Sequence, residues 1–171
     1  MLRIGIRFVS EKGIEAKLIE FFEGGSQFCH VEFVFRDKAT QELLGIDKPY
    51  VGAHAKGGVA AYDDSYYVGG NTITRFREYE LDVTEEQFAD LITFIKKRFG
   101  RPYDFLDIFG IMLHRPWHES NDFICSAFVA AALYHIAIYA LNVRGGFLYK
   151  ITPEILHLSP IWRGRLVKMY P

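Results

Sequence analysis

The run FICSAFVAAALYHIAIYAL, residues 123–141, constrains this chain more than any other stretch. A segment so long and so apolar has to be covered on nearly every side, by lipid or by protein. Cys125, Ser126, His135 and two tyrosines interrupt it, and neither basic flanks nor a second run of the kind accompanies it. The expectation is a helix near 122–141 buried in a globular core, with no stable membrane span. Such a helix needs other layers around it.

The rest of the chain supplies them. LRIGIRFV alternates and reads as a first strand. GIEAKLIEFFEGG carries a short amphipathic helix closed by Gly24 and Gly25. FCHVEFVF is a second strand, followed by a turn at RDKATQ and further strand in ELLGI. YVGAHAKGGVAAY reads as extended chain with a glycine break, and NTITRFREYELD as another strand. TEEQFADLITFIKKRFG is the clearest helix: Thr84 and Gln87 fit a capping box, and Phe88, Leu91, Ile92, Ile95 and Phe99 form one stripe. ITPEILHL offers a short helix with Thr152 as N-cap and Pro153 in its first position. RLVKMY closes the pattern. Strands come early and helices late, in 171 residues without repeats or linkers, so the expectation is a single α+β domain over 1–171.

Several function classes fall away on composition. A net charge of −1 and a pI near 6.6 offer nothing to nucleic acid or an anionic membrane. Cys29 and Cys125 are the only cysteines, which excludes a disulfide framework and a zinc-finger spacing. The N-terminus has no small-residue cleavage site, so no secretory signal is expected, and the protein is placed in the cytoplasm or delivered by phage or host.

Reactive residue types occur in two places. In QFCHVEFVF, Cys29 shares one wholly apolar strand face with Val31, Phe33 and Phe35, while His30 and Glu32 share the other. Cys29 therefore reads as core and His30 as the residue in search of a partner. Asn121 or Asp122 can cap the late helix, which sets Cys125 in its first turn. There the unpaired N–H groups and the helix dipole favour thiolate. An imidazole is needed beside it, and His30 can supply one. His135 lies too far along the helix to serve Cys125. His114 and His118 flank Pro116 and read as loop, and His157 reads as surface. No metal site and no cofactor are expected.

GRPYDF at 100–105 and FICSAFV at 123–129 resemble the G-x-P-Y segment and nucleophile block of NlpC-type cysteine peptidases, which are papain-like cell-wall hydrolases. The His strand precedes the Cys helix here, and ITPEILHLSP follows, so the order resembles the circularly permuted, YiiX-like branch. The resemblance covers roughly residues 28–160. It implies an antiparallel sheet or partial barrel packed against helices, with the nucleophile at a helix N-terminus. It further implies Cys125 as nucleophile and His30 as general base and acid. His54, where many permuted relatives have Glu, would be the orienting residue. Tyr103 would line the oxyanion site and Ser126 would contact substrate. Glu32 competes with His54 for the orienting role, but two residues along one strand separate it from His30 by ~7 Å, at about 3.3 Å per residue. The expectation favours His54. Ile124 and Ala127 stand where un-permuted enzymes commonly have Asp and Gly, so their mode of recognising a peptide amine does not carry over. The expected activity is cleavage of an amide, in a peptidoglycan-type peptide or another small amide. The alternatives are acyl hydrolysis or transfer of the lecithin retinol acyltransferase type, or a catalytically silent binding domain.

Overall fold

The computed structural model describes residues 1–12, 26–54, 57–67, 72–102, 124–141 and 151–170. The fold is α+β. Strands β1 (Leu2–Lys12), β2 (His30–Val34), β3 (Tyr50–His54), β4 (Gly58–Tyr62), β5 (Thr72–Val83) and β6 (Leu166–Tyr170) form one antiparallel sheet in the order β4-β3-β2-β1-β5-β6. Four α-helices occur among the described residues: α1 (Lys38–Leu44), α2 (Glu85–Lys96), α3 (Cys125–His135) and α4 (Pro153–His157).

Alternation in β1 and β2 makes one sheet face a continuous apolar floor. Ile4, Ile6 and Phe8 join Val31 and Phe33, all 0 % exposed, and Leu91, Ile95, Phe128 and Leu133 of α2 and α3 pack in the same core. Phe33 and Phe128 meet edge to face at 6.0 Å. Cys29 belongs to this buried set, with its thiol directed at the Val9 carbonyl at 3.5 Å. The capping box of α2 forms as its sequence predicts, with Thr84 and Gln87 reciprocally bonded. Thr152 caps α4 and Pro153 opens it.

Three sequence expectations are corrected. The turn expected at RDKATQ and the strand expected in ELLGI are instead one helix, α1, ending at Leu44: Asp37 caps it by accepting from Thr40 N–H at 2.8 Å, and Gly45 ends it in the left-handed region. Of its two leucines Leu44 is buried while Leu43 is 56 % exposed, a one-sided burial that a helix satisfies without a partner strand. The long apolar helix runs over Cys125–His135 only, not 122–141. It closes where Ile138 N–H donates back to Leu133 O at 2.9 Å and Ala137 takes a positive φ of 57°. His157 is half-buried rather than at the surface, stacked on Phe28 at 4.5 Å and bonded to Tyr79 Oη at 2.9 Å. The expected helix over 13–25, His114, His118 and the proposed caps Asn121 and Asp122 lie outside the described residues.

Gly58, with φ of +67°, lets another segment come close. A Cβ there would stand 2.1 Å from Arg101 O, and Val59 N–H donates to that same carbonyl at 2.9 Å. The G-x-P-Y stretch thereby starts as an extension of β4, at the sheet edge two strands from β2.

Candidate active site

The pairing of β2 with β3 sets Phe33 opposite Val51 and Val34 opposite Tyr50. Continued towards the start of β2, that register brings Glu32 beside Gly52 and His30 beside His54. The alternation of the strand puts His30 and Glu32 on one face. Gly52 makes the convergence possible: a Cβ there would lie 3.1 Å from Glu32 Cβ, 3.4 Å from His54 Nε2 and 3.5 Å from His30 Nε2.

Glu32 is the hub, and it is 0 % exposed. Its two oxygens have different partners. Oε1 takes Arg7, with Nε at 2.7 Å and Nη2 at 2.5 Å. Oε2 accepts from Tyr67 Oη at 3.0 Å and faces His54 Nε2 at 3.3 Å and His30 Nε2 at 3.4 Å. The sequence estimate of ~7 Å between Glu32 and His30 holds only for parallel, upright side chains. Here the two lean together over the space that Gly52 leaves empty. His30 therefore has both expected orienting residues beside it, its Nε2 facing the carboxylate without the alignment of a hydrogen bond.

Cys125 enters from the end of the sheet. It is the first residue of α3, after an N-cap, Ile124, that makes no side-chain capping bond. Its Sγ lies 4.0 Å from the carbonyl of Cys29, the residue that precedes His30 at the start of β2. His30, Glu32, His54 and Cys125 are all buried, at 6, 0, 3 and 2 % exposure.

Protonation follows from these contacts. Burial alone would lower His30, but the neighbouring Cys125 and then Glu32 outweigh it and push the imidazole up to about 10. Burial and the neighbouring His30 charge push His54 down to about 4, so it is neutral. Glu32 is held well below the usual carboxylate range: hydrogen bonds from His30 and His54 and the Arg7 charge overcome its burial. Glu32 thus faces one imidazole drawn towards its charged form and one held neutral.

By donor type, His30, Glu32 and His54 could hold a metal ion, since their ligand atoms all lie within 4.8 Å of one another. One of the carboxylate oxygens, Oε1, is already paired with Arg7. Sequence reasoning named all three residues but kept Glu32 ~7 Å from His30 as an upright strand neighbour; Gly52 in YVGAH was the available signal of close approach.

Ser126 is fully buried, and its hydroxyl donates to Ile151 O at 2.5 Å, tying α3 to the segment that enters α4. His135 sits at the far end of α3 against Phe94, 5.1 Å between ring centres. Tyr103 lies outside the described residues. Sequence reasoning also missed Arg7, which stands opposite Glu32 on one side and Glu78 on the other. With Lys168 opposite Glu78, charge alternates in a row across β2, β1, β5 and β6. In LRIGIRFV nothing beyond the alternation of the strand marks Arg7.

No protein-family model matches the chain, and no curated protein matches it. Among the described residues, no helix is long and apolar enough to cross a membrane.

Proposed function

We propose that the protein is a cysteine hydrolase of amide bonds, built on a permuted papain-like, NlpC-type plan. The observation that carries this reading is the placement of Cys125 at the open N-terminus of α3, with its Sγ 4.0 Å from the carbonyl of Cys29, the residue before a buried His30 that faces Glu32. A lone buried Cys needs neither the imidazole nor the carboxylate.

In the reaction, the Cys125 sulfur attacks the substrate carbonyl and a C–S bond forms. The oxyanion is met by N–H groups at the start of α3, which no side chain caps. His30 gives its proton to the leaving amine as the C–N bond breaks. Water then attacks the thioester while His30 takes one of its protons, the C–S bond breaks, and carboxylic acid leaves with the thiolate restored. Glu32 and the neutral His54 fix the imidazole's orientation. No cofactor enters these steps. The substrate class is a small amide, with a peptidoglycan-type peptide first among the candidates.

The test is mass spectrometry of the intact protein after exposure to peptide amides and to activated acyl esters. An acyl adduct on Cys125, absent in Cys125→Ala and followed by turnover, upholds the proposal. Turnover confined to long-chain acyl esters would move it to the lipid acyl class. A second reading, a silent binding domain, draws on the burial of Cys125 at 2 % exposure. It predicts no adduct with any substrate class.

A further inference from the structure

The charge at the centre of the site is set from β1. Arg7 is 2 % exposed, and burying a guanidinium is costly unless it is paired and hydrogen-bonded. Its Nη1 reaches Asp64 Oδ1 at 3.1 Å, and its Cζ stands 3.5 Å above the centre of the Tyr50 ring. The Tyr67 and Phe76 rings flank it at 5.3 and 5.9 Å. The charged or titratable groups around it are thus Glu32 from β2, Tyr50 from β3, Asp64 and Tyr67 from the turn after β4, and Glu78 from β5. Glu78 is itself paired with Arg36, Nη2 to Oε2 at 2.9 Å.

Packing alone would be served here by Leu or Met. What only a cation with a planar fork supplies is the division of Glu32, with Oε1 given to the guanidinium and Oε2 left to the two imidazoles. We propose that Arg7 is a positioning residue of the active site: it holds Glu32 so that Oε2 faces both His30 and His54, and its charge opposes a proton on both imidazoles at once. This rests on the hydrolase reading given above. A second proton on His54 would stand beside both Arg7 and His30, against a single carboxylate. Without Arg7 the carboxylate is uncompensated, and His54 becomes the site for that second proton.

Side-chain nitrogen NMR of the histidines against pH tests this directly. In wild type, His54 stays neutral through the ordinary imidazole range near pH ~6.5. In Arg7→Met, its titration moves up into that range, by about one unit or more. Arg7→Lys keeps the charge without the planar fork, so His54 stays neutral there. A merely structural Arg7 would leave His54 unmoved in Arg7→Met, which would overturn the proposal. Should Arg7→Met fail to fold, Arg7→Gln takes its place: His54 moved up by about one unit upholds the proposal, and His54 unmoved overturns it. A wild-type His54 titrating near ~6.5 also overturns it. Failure of the hydrolase reading shows separately, as no acyl adduct on Cys125 whatever the histidines do.

Discussion

At the scale of single residues, the site depends on an absent side chain. Gly52 has ordinary strand conformation, so its role is space, not backbone freedom. Gly52→Ala would press a methyl against Glu32 Cβ at 3.1 Å and against both imidazoles. The expected cost is about 1–3 kcal/mol in denaturant unfolding, the usual range for overpacking a filled interior. Cys125 alkylation should slow more than that loss of stability explains, because His30 is displaced from its partner. Unchanged reactivity at reduced stability would mean that the crowding is absorbed elsewhere. Glu32 was legible as a neighbour of His30 by strand alternation, but its contact was not. Contact depends on how two side chains lean, which a rise per residue does not encode.

At the scale of elements, legibility follows local signals. The Thr84–Gln87 box fixes the start of α2 from sequence alone, and Thr84→Ala should cost about 1 kcal/mol by thermal or denaturant unfolding. An unchanged midpoint would show the cap to be redundant. ELLGI failed because two adjacent leucines read as strand, while the deciding residues, Asp37 and Gly45, flank it as caps. The end of α3 was illegible for a different reason: Ala137 takes a left-handed conformation that residue type does not announce. The helix start was placed better, in that Cys125 falls in the first turn, though the residue before it is an apolar N-cap. Ser126→Ala removes the buried bond to Ile151 and leaves that carbonyl without its hydroxyl donor. The expected loss is about 1–3 kcal/mol, with the pH dependence of Cys125 reactivity kept.

At the scale of the whole molecule, the α+β class was readable from the order of strands and helices. The meeting of His30, Glu32, His54 and Arg7 was not, because it depends on the β1–β2–β3 register. That meeting gives stability a pH optimum. His54, held neutral to about 4, contributes stability that is complete above the ordinary value of 6.5 and is lost as pH falls towards 4. Glu32, held low, acts in the same sense further into acid. His30, pushed up to about 10, contributes stability that is complete below 6.5 and is lost as pH rises to about 10. The thermal midpoint should therefore peak near pH ~6.5 and fall on both sides, with the alkaline fall reduced in His30→Ala. A midpoint still climbing between pH ~7 and ~9 would contradict the charge state assigned to His30.

The central claim is that Cys125 and His30 act together as nucleophile and base. Its most direct measurement is the alkylation rate of each cysteine in the folded protein, resolved by mass spectrometry, in wild type and His30→Ala. The account predicts that Cys125 reacts much faster than Cys29 at neutral pH, that Cys29 stays inert, and that the advantage of Cys125 shrinks without His30. A Cys125 as inert as Cys29 in the folded protein, or one whose rate ignores His30, would contradict it.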